Sequence, residues 1–250
     1  MSASPVNGRI LLAVTVRVLT QLRRDRRTVA MLLVLPCVLI TLLWWMFRNM
    51  PGELFDRFGP GLLAIFPFIV MFLVTSVTTL RERSSGTLER LLAMPMGKLD
   101  FLGGYALAFG LVATVQAALA VTLSTGPLGL SVSGPVWLLG LVAVADAVLG
   151  TALGLFVSAF AQTEFQAVQF MPLFVIPQII LCGLFVPRDA MPPVLEAISN
   201  LLPLSYATDA MQHLVRYTTT AEVWRDLAVV SAFALGALAL GAATLRRRTP

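Results

Sequence analysis

The chain has 250 residues, 58% of them hydrophobic and 12% charged, with a formal net charge of +5 and a mean hydropathy of +0.86. An ordinary soluble domain carries about a quarter charged residues, so this chain cannot present water with a polar surface all round. That excludes a soluble globular enzyme and leaves an integral membrane protein, for which length sets no domain count because the bilayer buries the apolar surface.

The N-terminal MSASPVNGRILLAV lacks the basic, then apolar, then small-residue layout of a cleaved signal, so the first apolar run is expected to be retained. Residues 1–27 form a basic lead-in. Within it RILLAVTVRVLTQLRRDRR has apolar residues on most sides and arginines at its C-terminal end. This pattern predicts a helix lying on the membrane surface with arginine stems reaching the headgroups.

A helix needs about 20 mostly apolar residues to cross the hydrocarbon core. Six segments qualify, at 28–47, 61–80, 101–124, 136–160, 165–186 and 227–245, within one transmembrane domain spanning 28–245, followed by a short tail at 246–250. The fourth and fifth are separated only by the tight turn AQTE. Cys37 and Cys182 fall inside apolar runs and read as packing residues rather than a disulfide framework.

Orientation follows from basic residues in the flanks. With the N-terminus cytoplasmic, the inner side receives thirteen of the 18 basic residues, leaving Arg48, Arg57, Arg188, Arg216 and Arg225 outside. Six spans return the C-terminus to the cytoplasm. The basic balance is thereby explained by topology and anionic lipid, without nucleic acid, whose binding surfaces interleave aromatics among the basic residues.

The segment RERSSGTLERLLAMP, residues 81–95, is then a cytoplasmic loop. Ser84, Ser85 and Thr87 offer capping hydroxyls, and Gly86 permits a break after the second span. Leu88, Leu91 and Leu92 share one face at helical spacing, and Pro95 disfavours helix at Met94. The prediction is a short helix over 84–95, marginal alone in water and therefore docked, on its own bundle or on another protein.

Two blocks carry a family resemblance. Arg81-Glu82, Gly86-Thr87-Leu88-Glu89, Leu91-Leu92 and Pro95 resemble the RE…GTLE…LL…P stretch of type-2 ABC exporter permeases. CGLFVPRDAMPPVLEAISNLLPLSYATDAMQ resembles that family's segment after the fifth span. Membrane subunits of daunorubicin-type exporters of drugs, lipids or polysaccharides are the nearest comparison. The resemblance implies a coupling helix seated in the groove of an ATPase, with Glu82, Gly86, Thr87, Leu88, Glu89, Leu91 and Leu92 as ATPase-contact residues. It also implies a dimer of membrane subunits, homodimeric or of related chains, with the first and fifth spans near the seam.

The sequence has no phosphate-binding loop. Around Lys98, the only lysine, the pattern G-x-x-x-x-G-K-[ST] would need glycine at 92 and a hydroxyl at 99, where Leu92 and Leu99 stand. ATP and its Mg ion are therefore expected on a separate P-loop ATPase subunit, with no cofactor bound by this chain and no chemistry performed by it. His213, the only histidine, has no second ligand at metal spacing, so no metal site is expected.

Three further features lie in the membrane. Gly150, Gly154 and Ser158 form a small-residue stripe that suits close helix contact, within or between subunits. Asp146 sits mid-span, where an acid costs about 2.5–3.5 kcal/mol on insertion scales. It reads first as a structural acid, protonated or hydrogen-bonded across helices, and alternatively as the site of an ion-coupled carrier. The fifth span carries Pro172 and Pro177, which loosen a helix, and Gln166, Gln169 and Gln178 at lipid depth. With the deformable Phe170, Met171 and Phe174, this span is the expected wall of a pathway. Gln169, Phe170, Met171, Phe174 and Gln178 are its candidate substrate contacts. Residues 187–212 are expected to form short helices dipping back into the outer leaflet.

The reading is an all-helical, six-span permease subunit of the plasma membrane that moves a hydrophobic or amphipathic compound outward. The arginine-rich, lysine-poor composition resembles that of high-GC bacteria.

Overall fold

The computed structural model describes residues 7–50, 53–84 and 98–244. The elements are α1 (Gly8–Arg24), α2 (Arg26–Phe47), α3 (Leu54–Ser84), α4 (Lys98–Thr125), α5 (Val136–Ser158), α6 (Glu164–Leu181), a 3-10 turn (Arg188–Ala190), α7 (Pro193–Ser199), α8 (Pro203–Arg216) and α9 (Ala221–Thr244). Among the described residues there is no strand. Six of these helices, α2 to α6 and α9, are long and apolar enough to cross a membrane.

The six run alternately between two ends of a bundle. One end, here called the basic end, gathers α1, the start of α4 and the ends of α5 and α9. There Gly241 of α9 lies against Leu102 and Phe156, and Gly104 of α4 lies against Val14 of α1. The far end holds residues 48–50 after α2 and the turn at 126–135 together with α7 and α8. All four tryptophans, Trp44, Trp45, Trp137 and Trp224, stand in terminal turns at the far end, and Trp137 and Trp224 meet at 6.2 Å. Such rings favour the interface between hydrocarbon and water, so they mark one boundary of the spans.

The core is built on α3 and α5, which run parallel. The Cα atoms of Gly150 and Gly154 face the backbone of Phe68 and Phe72, where an added Cβ would lie 2.5 Å from each carbonyl oxygen. The small-residue stripe therefore joins helices within this subunit. Side chains of α8 (Leu204, Ala207, Met211, Leu214) and α9 (Val223, Val230) complete this cluster toward the far end. A second cluster at the basic end joins α1, α4 and α5 through Val14, Val18, Tyr105, Phe109 and Leu155.

Local chemistry sets the ends of these helices. Asp25 lies alone between α1 and α2: its backbone N–H reaches the carbonyls of Gln21 and Leu22, closing α1. Its carboxylate accepts from the Thr28 N–H at 3.2 Å and the Thr28 hydroxyl at 2.6 Å, opening α2. Those bonds hold the Asp25 carboxyl below its ordinary pKa. Between α5 and α6, the Thr163 side chain accepts from the Gln166 N–H, while the Gln166 side chain accepts from the Gln162 N–H at 2.8 Å. This is a reciprocal cap. Gln166, expected at lipid depth, is thus an exposed capping residue.

Three span limits differ from expectation by five residues or more, the first being the start of the second span at Leu54 rather than 61. The fifth span ends at Leu181 rather than 186, because Gly183 adopts φ +88°, a left-handed backbone that glycine tolerates. The freed Leu181 carbonyl accepts from the Ser199 hydroxyl at 2.7 Å. The last span begins at Ala221 rather than 227. Its first turns are polar, but Asp226 is buried and paired with Arg225 at 3.0 Å, a saving that hydropathy alone does not register.

The clash at Gly154 is with backbone, which cannot move aside as a side chain would. Gly154→Val is expected to destabilise the purified protein by about 1–3 kcal/mol or more. Gly140→Ala and Gly236→Ala, with no heavy atom within 4 Å of the new Cβ, are expected to be neutral. Thermal unfolding in detergent of the three variants checks this, and equal loss in all three would contradict it.

Candidate functional site

Of the short helix expected over 84–95, Ser84 is the last residue of α3 and the rest falls within residues 85–97, so Gly86, Thr87, Leu88, Glu89, Leu91 and Leu92 lie outside the described residues. What the structure describes is the frame on either side of them, where α3 ends and α4 begins. Both flanks are gripped by α1.

On the α3 side stands Glu82, 5% exposed. It accepts a hydrogen bond from the Tyr105 hydroxyl of α4 and pairs with Arg17 of α1 at 3.3 Å. Tyr105 is fully buried, with Phe101 at 4.4 Å and Phe109 at 6.3 Å. One carboxylate thus ties three helices at a single point. On the α4 side stands Asp100, also buried, which accepts from the Asn7 N–H at 2.8 Å. An acid in the first turn of α4 also suits the positive end of the helix dipole.

Between these two ties α1 rests directly on α4. An added Cβ at Gly104 would lie 2.6 Å from Val14, and the Thr15 hydroxyl reaches both the Leu11 carbonyl at 2.9 Å and the Gly104 carbonyl at 3.2 Å. Val14, Thr15, Val18 and Leu22 are buried while Leu12 and Val16 are exposed. The lead-in helix expected on the membrane surface is therefore one wall of a clasp. A third tie is exposed: Arg81 grips Glu164 of α6 through two bonds of 2.9 and 3.1 Å, in the planar, two-point geometry that favours arginine.

The candidate pathway residues separate. Gln169 and Phe174 are exposed, whereas Phe170 and Met171 are half-buried against the core. Gln178 is buried, donates to the Phe174 carbonyl at 2.9 Å and accepts from the Leu204 N–H at 3.4 Å. It occupies a place between α6 and the start of α8 rather than on an open face. Asp146 is fully buried, and neither carboxyl oxygen has a hydrogen-bond partner among the described residues. Of the two expected forms of a structural acid, protonated or hydrogen-bonded across helices, the described residues supply no partner for the second.

The far end carries a cluster that sequence reasoning missed. The Arg188 guanidinium bonds Asp209 and Asn200 and lies over the Tyr206 ring at 4.8 Å, while the Tyr206 hydroxyl donates to the Asn200 carbonyl at 2.8 Å. Burial pushes the Asp209 carboxyl above its ordinary pKa, with Arg188 opposing it. Among the described residues no group of three His, Cys, Asp or Glu is placed to hold a metal ion. Arg17, Tyr105 and Asp100 were also missed, although a lone tyrosine beside Gly103-Gly104 was a usable signal of close helix contact.

A family model described as "ABC-2 type transporter" matches residues 9–215, from the first turn of α1 to the last of α8. The chain belongs to the ABC-2 type transporter family. Its similarity extends to a probable multidrug ABC transporter permease, YbhR, of Escherichia coli (strain K12), 28% identical over 169 residues, covering 67% of this chain and 46% of the relative. It is also similar to the inner membrane transport permease YhhJ of the same strain, 28% identical over 158 residues, covering 62% and 42% respectively. A third relative is ABC transporter G family member 20 of Dictyostelium discoideum, 25% identical over 169 residues, covering 68% and 23%. The chain spans less than half the length of each of these ABC-2 relatives.

The clasp yields a quantitative expectation. A double-mutant cycle of Arg17→Ala and Glu82→Gln, read by thermal unfolding in detergent, is expected to give a coupling of about 0.5–3 kcal/mol. Tyr105→Phe removes one donor to Glu82 and is expected to cost about 1–3 kcal/mol. Strict additivity in the cycle would mean that the two side chains do not act on each other.

Proposed function

We propose that this chain is the membrane-spanning permease subunit of an ABC exporter. It moves a hydrophobic or amphipathic compound, such as a drug, a lipid or a lipid-linked glycan, outward, and a separate P-loop ATPase drives it. The observation that carries this reading is the double grip of α1 on the two flanks of residues 85–97, in a chain of the ABC-2 type transporter family.

The basic end faces the cytoplasm, where the inner-leaflet lipids attract its arginines. Residues 86–92 dock in a groove of the ATPase, with Gly86, Thr87, Leu88, Glu89, Leu91 and Leu92 at the contact. Glu82 turns inward and acts as a positioning residue. When the ATPase moves, its push on 87–93 passes through Glu82 to α3 and through Asp100 to α4, and α1 keeps the two flanks in step. ATP and Mg bind the partner, which supplies the hydrolysis.

A second permease subunit completes the pathway. Supporting this, only 17% of the apolar stretch of α2 and of α6 is buried within the bundle, against 67% for α5. The exposed faces of α2 and α6 form the seam, with Gln169 and Phe174 on it and Phe170 and Met171 behind it. The kinks permitted by Pro172 and Pro177 let α6 open and close. Residues 187–212 cap the outer end of the pathway. The printed name of the E. coli relative YbhR, a multidrug permease, is in keeping with an apolar cargo.

Affinity capture of the tagged protein from its native membrane in mild detergent tests the coupling. A P-loop ATPase is expected with the wild type and is expected to be lost with Glu89→Lys and with Leu88→Asp plus Leu91→Asp, at equal membrane levels. Recovery of no ATPase with any version overturns the reading. Asp146→Asn is expected to leave ATP-driven transport in vesicles unchanged and independent of a proton gradient. Loss of transport in that variant would point to an ion-coupled carrier instead.

A further inference from the structure

The corner between α1 and α2 leaves an open groove of about 390 Å³. Leu22 forms its floor, Leu19 and Val29 its sides, and Leu33 and Val112 continue it along α2 and α4 toward the hydrocarbon. Arg23 and Arg26 line it with their aliphatic stems. The groove is therefore apolar along its length, and the exposed side chains of Arg23 and Arg26 leave it at the level where the first membrane-spanning helix begins.

Charge decides what such a groove accepts. Arg23, Arg24, Arg26 and Arg27 are all exposed, and none has an ion-pair partner among the described residues. The one acid in the run, Asp25, has both carboxylate oxygens engaged by Thr28. Four arginines against this one carboxylate still leave the run net positive beside an apolar channel. Arg24 turns to the other face of α1, into a hollow with Arg17, Thr20 and Gln21, so the cations at the groove itself are Arg23 and Arg26.

We propose that this groove is a binding site for one anionic phospholipid, its phosphate held between Arg23 and Arg26 and one acyl chain lying along Leu19, Val29, Leu33 and Val112. Arginine suits the phosphate because its planar fork donates two bonds at once. Basic pockets between helices at the membrane surface favour anionic headgroups. A free phosphate would leave the channel unfilled, and a zwitterionic lipid would offset its own charge at the mouth. The lipid wedges the corner between α1 and α2. Since α1 grips Glu82 through Arg17 and Asp100 through Asn7, the occupied groove fixes the clasp. The site rests on the geometry of α1, α2 and α4 and not on the identity of the ATPase, so the two readings fail separately.

The test uses the purified full chain in detergent, with phosphatidylglycerol or phosphatidylcholine of the same acyl chains added. Retained lipid is counted by native mass spectrometry and stabilisation is read by thermal unfolding. Wild type is expected to retain phosphatidylglycerol in preference to phosphatidylcholine. Arg23→Gln plus Arg26→Gln is expected to weaken that retention by about 10- to 30-fold, the worth of two arginines near an anionic surface. Arg24→Gln plus Arg27→Gln, which removes equal charge outside the groove, is expected to retain most of it. Leu33→Trp fills the groove and is expected to abolish retention of either lipid. Glycerol phosphate is expected to stabilise none of them. Unfolding without added lipid verifies that each variant is folded. Equal retention of the two lipids by wild type, or equal losses from the two arginine pairs, would overturn a defined site in favour of diffuse attraction. Stabilisation by glycerol phosphate would overturn the role of the acyl chain.

Discussion

Gly150 and Gly154 let the backbone of α5 lie against the backbone of α3 at Phe68 and Phe72, and the other helices are arranged around that contact. In a bilayer no hydrophobic force draws one apolar helix to another, because lipid tails are as apolar as leucine. What remains is close van der Waals packing, and it is strongest where no side chain holds the helices apart. The contact gives the bundle a rigid centre, on which α8 and α9 settle at the far end and α4, then α1, at the basic end. A force applied at one end therefore reaches a packed pair of helices rather than a loose set.

The two ends are fixed by another device. At the basic end an acid, an arginine and a tyrosine, Glu82, Arg17 and Tyr105, come from three helices. At the far end Asp209, Arg188 and Tyr206 repeat the combination. A partly buried charge is strongly unfavourable once its partner is removed, so such clusters fix geometry more than they add stability. They sit where the chain leaves the apolar centre and ordinary packing no longer defines a unique arrangement. Asp146 shows the contrast: it lies in the packed centre without a cluster of its own.

Burial is uneven around the bundle. α3 and α5 are mostly enclosed, whereas α2 and α6 present most of their apolar length outward. In lipid this exposure needs no compensation, but it leaves the two helices free to meet another subunit. It also places the corner between α1 and α2 at the edge of the protein, where lipid and clasp touch. In this arrangement the clasp and the groove adjoin one another beside the start of the first span.

Composition and hydropathy by themselves determined that the chain is helical and that it has six apolar spans, because a bilayer admits few other solutions for so apolar a sequence. The spacing of Gly150 and Gly154 announced a close contact, and Arg81 to Pro95 together with 182–212 announced the family. Other features required the fold. Whether the glycine stripe joined helices of one subunit depended on which helix came to lie beside it. That Glu82 turns inward depended on Tyr105 and Arg17 arriving from helices 23 and 65 residues away. The splitting of Gln166, Gln169 and Gln178 into a cap, an exposed residue and a buried tie depended on where α6 begins and on the approach of α8. A one-dimensional pattern reports how apolar a residue's neighbours in sequence are. Its partners across the bundle are set by tertiary packing, and those partners decide what each polar group does.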